Sequence, residues 1–177
     1  AYNRKIVDPT ANRYFFVHNP IQLTVKDLPH VFVVKLHLHP DHPERGFRPF
    51  EIQPTEGEAS FWVSSDDINF LEAGKGVRFM GLFNIQVEKV EKYSISAVFH
   101  SESYEEAKRR NAPLIHWVPI GADIPCEVVM PNMYVAEGIA EIHCRALHPN
   151  EIIQFERFGF ARVDKINKKL TAYFAHR

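Results

Sequence analysis

The chain has 177 residues, 45% of them apolar, which is enough for one ordinary domain or two small ones with a sizeable buried core. Its formal charge of −1, from 21 Lys and Arg against 22 Asp and Glu, excludes a protein that holds nucleic acid by bulk electrostatics alone, because non-specific affinity scales with the number of phosphates that cations neutralise. Two widely spaced cysteines, Cys126 and Cys144, exclude a disulfide framework and point to a reducing cytoplasm, and no apolar run of about 18 residues marks a membrane span.

In chain order, Ala1 to Pro9 mixes polar and apolar residues without the pattern of a signal peptide. It reads as a start inside a longer protein, an engineered or proteolytic piece, with only its extreme end lacking order. Tyr14–Val17 is the first strand candidate. Val34, Leu36 and Leu38 then alternate with Lys35, His37 and His39, which predicts a strand with one wet face. A clear loop, Asp41 to Gly46, follows.

Phe61–Val63 predicts the next strand, and Ser64-Ser65-Asp66-Asp67 the start of a helical turn. Val77, Phe79, Ile85 and Val87 share one parity across Val77 to Val90, and Ile95, Ala97 and Phe99 repeat it. Ser103 to Glu106 is a capping box for a short helix ending at Arg110.

Further strands are predicted at Leu114–Val118, Cys126–Met130, Ile139–Arg145, Ile152–Arg157 and Leu170–Phe174. Pro119–Asp123 and Pro131-Asn132 read as loops. Gly159, inside an apolar run, suggests a bulge or a close backbone approach. Lys165 to Lys169 reads as a solvated loop or strand end. Many short strands with frequent turns predict an all-β fold of small antiparallel barrels or a sandwich, with one or two short helices.

The residues offer little reaction chemistry. His37, His39 and His42 are close in sequence, yet zinc sites favour C-x₂₋₄-C or H-x₃₋₅-H pairs, and neither cysteine has a thiol neighbour. A metal-binding β-protein built on these histidines is a weaker reading, and no metal is expected. No nucleophile elbow, phosphate-binding loop or dinucleotide fingerprint occurs.

Three segments do carry recognition chemistry: Arg13 to Phe16, Lys75 to Phe79 and Gln154 to Phe160 each interleave polar donors with aromatic rings. Single-stranded RNA is read by splaying bases out, stacking them on rings or guanidinium planes, and bonding their edges. The amide of Gln154 and the forks of Arg13, Arg78 and Arg157 suit that task. The expectation is that the three segments line one groove for unpaired nucleotides.

A resemblance sharpens this reading. Asp8 to Val17 resembles the junction into the anticodon-binding region of glutamyl- and glutaminyl-tRNA synthetases. His39-Pro40-Asp41-His42-Pro43-Glu44-Arg45-Gly46 is similar to the HP-x-x-PE-x-G loop of archaeal and eukaryotic glutamyl members. Phe61-Trp62-Val63 with Asp66-Asp67, Gly74 to Phe79, Leu82-Phe83-Asn84, Ile115-His116-Trp117-Val118 and Ile153 to Phe160 follow in the family's order. These matches run from Asp8 to about Asp164.

The resemblance implies two β-barrels interleaved in sequence. Residues 1–63 and 123–177 would form the one nearer the catalytic body, and 64–122 the farther one. It implies tRNA as partner, held by its anticodon loop, and no role for DNA or membranes. It assigns anticodon contacts to Arg13, Lys75, Arg78, Gln154 and Arg157. Phe70 and Met80 stand where glutaminyl relatives carry arginines, so no contact to the third base carries over.

The HIGH and KMSKS motifs of the catalytic domain are absent. The parent would attach glutamate to tRNA(Glu), and in some archaea to tRNA(Gln), with ATP and magnesium bound elsewhere. This chain would itself be inactive and hold no cofactor. A free-standing barrel that binds ribosomal RNA is the alternative.

Overall fold

A computed structural model describes residues 2–177. A helix, α1 (Tyr2–Val7), precedes the first of two seven-stranded sheets. In spatial order that sheet runs β1 (Asn12–Tyr14), β14 (Ile152–Phe155), β15 (Gly159–Ile166), β16 (Leu170–His176), β12 (Asp123–Val129), β13 (Val135–Glu141) and β2 (Phe16–His18). The second runs β10 (Leu114–Ile115), β7 (Gly76–Phe79), β8 (Asn84–Val90), β9 (Ser94–Ser101), β3 (Pro20–Lys26), β6 (Ala59–Ser64) and β11 (Val118–Pro119). A separate hairpin pairs β4 (Phe32–His37) with β5 (Phe47–Ile52), and α2 (Tyr104–Arg109) follows β9.

Connectivity explains why both sheets curl. β1 and β2 lie at opposite ends of the first sheet, yet only Phe15 separates them. Two Cα–Cα steps span at most about 7 Å, so the two edges must meet and the sheet becomes barrel-like. β10 and β11 stand in the same relation in the second sheet, separated by His116 and Trp117. The strands expected at Tyr14–Val17 and Leu114–Val118 are therefore each broken where the chain steps from one edge to the other. Most ladders are antiparallel; β1–β14, β12–β16, β3–β9 and β7–β10 are parallel.

Alternation at the first break feeds two cores. Tyr14 and Phe16 enter the core of the first sheet, with Phe155, Val128 and Val163. Phe15 points the other way, into the core of the second sheet, where its ring lies 5.6 Å from that of Trp117. Trp117 is wholly buried, stacks on Phe79 and donates its indole N–H to the Met80 carbonyl. One break thus packs against the other.

β3 pairs with β6 and with β9, and β6 also pairs with β11. The β4–β5 hairpin also packs Phe32, Phe50 and Ile52 on the second core. Alternation distinguishes a wet from a dry face but does not identify the partner. The strand expected at Ile139–Arg145 ends at Glu141 and continues as a 3₁₀ turn, Ile142–Ala146. No described helix is long and apolar enough to cross a membrane.

Candidate nucleic-acid interface

The loop after β4 acts as a brace for Arg13. His39 was expected on a wet strand face; β4 instead ends at His37, and His39 turns inward to 1% exposure. Its Nε2 lies 2.8 Å from the Asp8 carbonyl and its Nδ1 accepts from the Asp41 amide, which fixes the tautomer with the proton on Nε2. Pro43–Arg45 forms one 3₁₀ turn, from which Arg45 donates to the carbonyls of Pro9 and Thr10 and to the Asn12 amide oxygen. The Arg13 amide donates to the Leu38 carbonyl at 2.7 Å. Among the described residues no cluster of three or more His, Cys, Asp or Glu could hold a metal.

Arg13 stands in parallel register with Gln154 of β14. Gln154 and Arg157 line a groove of about 710 Å³ with His18, Tyr134, Phe158 and Arg177. The Oε1 of Gln154 is buried without a partner among the described residues, so an acceptor there is unfilled. Phe158 packs edge-on against Phe16 and Phe174, which holds its ring at the groove wall. Tyr134, 53% exposed, offers a second ring.

Arg157 joins the two sheets. The β14–β15 turn is closed by the Phe158 amide donating to the Phe155 carbonyl, with Arg157 at its third position and φ of 63°. A left-handed backbone is unfavourable for a residue with a Cβ, so other interactions must hold it. Asp67, in the 3₁₀ turn Ser65–Phe70 of the second sheet, accepts from both arms of the guanidinium at 2.8 and 2.6 Å. His116 accepts a third bond on Nδ1 at 3.1 Å and donates from Nε2 to the Phe16 carbonyl at 2.7 Å.

Burial, and then the Arg157 charge, pull the His116 imidazole down to about 4. In the unfolded chain it titrates near 6.5, so between these values the unfolded state binds more protons and stability rises with pH. Acidification from about pH 7 to about pH 5 should therefore remove about 2 kcal/mol through this residue alone. Urea unfolding of His116→Gln should show a flatter acid limb than the parent; parallel limbs would refute the neutral, buried imidazole.

Arg13 faces a different concavity, of about 230 Å³, with Phe15, Lys35, Arg48, Met80 and Glu156. The Nε atoms of Arg13 and Arg48 are both buried without partners among the described residues. Burial raises the Glu156 carboxyl above its ordinary value despite Arg48 and Arg13. The remaining sites lie in the second sheet. Arg78 is buried, donating to Asn84 and to the Glu102 carbonyl under the ring of Tyr104. Lys75 is exposed and pairs with Glu72 at 2.8 Å. The structure thus brings Gln154 and Arg157 into one groove, seats Arg13 beside them with its side chain in a neighbouring concavity, and sets Lys75 and Arg78 apart.

Sequence reading missed His18, Tyr134, Arg48 and Glu156 as lining residues, and took Asp67 only as a helix start. The Ser64 hydroxyl does cap that turn, accepting from the Asp66 amide. Only chain closure reveals the second role of Asp67.

The family described as "tRNA synthetases class I (E and Q), anti-codon binding domain" matches residues 11–102, and a second model with the same description matches residues 114–164. The glutamate–tRNA ligase of Pyrococcus abyssi is 46% identical over 100% of the chain, and that of Pyrococcus horikoshii 45% identical over the same share. The glutamate–tRNA ligase of Methanocaldococcus jannaschii is 39% identical over 100% of the chain. The chain spans about 30% of the length of each of these curated relatives.

Proposed function

Since the chain belongs to the anticodon-binding domain family of the class I E and Q tRNA synthetases, we propose that it recognises the anticodon loop of a tRNA on behalf of a glutamate–tRNA ligase. The catalytic part of that ligase would bind ATP and magnesium and attach glutamate. The observation that carries this reading is the pairing of Gln154 and Arg157 in one groove walled by Phe158 and Tyr134. The Gln154 amide carries both a donor and an acceptor at the groove, and the Arg157 guanidinium retains free donors for a base edge. Splayed bases need flanking rings to stack on, and the groove has two.

Arg13 would read a neighbouring base from the second concavity, where Glu156 adds an acceptor among cations. Lys75, exposed, would meet backbone phosphate. Arg78, whose guanidinium already serves Asn84 and the Glu102 carbonyl, would support the barrel beneath that contact. The near-neutral chain fits recognition by a few directed contacts better than by charge.

Alanine at Arg13, Gln154 or Arg157 should each weaken tRNA binding by about 1–3 kcal/mol and relax the choice of one anticodon base, whereas Lys75→Ala should weaken binding uniformly and reduce the salt slope by about 1. Filter binding across salt concentrations with anticodon-substituted tRNAs measures both. If all of the first three variants bind and charge tRNA(Glu) like the parent ligase, the assignment falls. Charging of tRNA(Gln) by the same ligase tests the broader specificity.

A further inference from the structure

We propose that Asp67 and His116 are positioning residues for base recognition, holding the Arg157 guanidinium so that only its two remaining donors face the groove. This rests on the reading of Arg157 as a base-contacting residue.

Arginine carries five N–H donors in a rigid fork. Three are spent between the sheets: two on the Asp67 carboxylate and one on the His116 ring. The Nε–H and one hydrogen of the second arm remain. Asp67 is 7% exposed as a side chain, and His116 is similarly buried, while Arg157 is 33% exposed and lines the groove. The clamp is therefore inside the protein and the clamped group is at its edge.

The backbone adds an independent sign. Arg157 adopts φ of 63°, where glycine would be at ease, so the turn is held by what the side chain gains. His116 cannot turn freely, because its other nitrogen donates to the Phe16 carbonyl at the break that closes the first sheet. A long, exposed arginine would sample many rotamers and lose that freedom on binding; a clamped one has already lost it. The clamp also makes recognition conditional: the fork is set only when the two sheets are docked.

The test uses a short RNA hairpin carrying the anticodon loop, with each loop base substituted in turn. Arg157→Ala should cut discrimination at one loop position, on the order of tenfold. Asp67→Asn and His116→Gln should cut discrimination at that same position and leave the others intact. Adding Asp67→Asn to Arg157→Ala should then change nothing further in binding.

If Arg157→Ala discriminates like the parent, the functional reading of Arg157 fails and the clamp with it. If Arg157→Ala loses discrimination but Asp67→Asn and His116→Gln keep it, the positioning role alone fails. That role also fails if Asp67→Asn weakens all RNAs equally, or weakens the Arg157→Ala protein further, because a purely structural role would do that. Melting temperatures of each variant separate loss of fold from loss of discrimination.

Discussion

Glu141→Gln should destabilise the chain by about 3–5 kcal/mol in urea unfolding, more than any change in the groove lined by Gln154 and Arg157. Glu141 ends β13 with its carboxylate wholly out of water, and the Arg48 side chain that pairs with it is 3% exposed. One oxygen accepts from Arg48 and from the Phe15 amide at 2.7 Å; the other lies 3.0 Å from His143 Nδ1. Arg48 is further held between the rings of Tyr14 and Phe15. This single carboxylate links the β4–β5 hairpin to the break that closes the first sheet.

Removing its charge strands a guanidinium in a low-dielectric site, and the loss comes mainly from that stranded charge rather than from the lost attraction. Arg48→Met should therefore be costly alone, but the Arg48→Met/Glu141→Gln pair should recover most of the stability, since Gln keeps the bond to the Phe15 amide. A Glu141→Gln protein within about 1 kcal/mol of the parent would refute the buried pair, as would a double variant no better than either single one.

Gly138→Ala should lower stability by about 3 kcal/mol or more. Gly138 pairs with His18 across β13 and β2, the last ladder of the first sheet. A Cβ there would clash with the Val17 carbonyl oxygen and lie 2.7 Å from the Phe16 ring. Neither can yield cheaply: the first is backbone within the ladder, and Phe16 is buried between Phe155 and Phe158. The ladder must open, and with it the carbonyl that receives His116. Gly121→Ala is the control. Gly121 has open space around it but φ of +94°, so it should cost only about 1 kcal/mol of backbone strain. Equal losses at the two positions would argue against the close approach at Gly138.

Much of the local structure was legible. Alternation marked β4 and β9, and the capping box marked α2, whose Ser103 hydroxyl accepts from the Glu106 amide as such a box requires. Gly159 stood out as a close backbone approach, and its Cβ would meet the His176 carbonyl at 2.8 Å. Gly138 gave no such sign, because its backbone conformation is ordinary and the crowding comes from a strand more than a hundred residues away. The segments at Asn12–His18, Pro20–Lys26 and Val135–Glu141 were misjudged or overlooked for the same reason: their pairing is decided by distant partners.

By itself the sequence determined an all-β chain with the residue types for reading RNA, and ordered motifs pointing to one family. Periodicity and capping depend on neighbours a few positions away, so they survive in one dimension. Tertiary structure decided which strands share a sheet, that Phe15 and Trp117 fill one core, and that Arg157 is gripped by Asp67 and His116. Those choices depend on barrel closure, which brings together side chains from β2, the Ser65–Phe70 turn, the β10–β11 break and the β14–β15 turn, and no local pattern encodes that meeting.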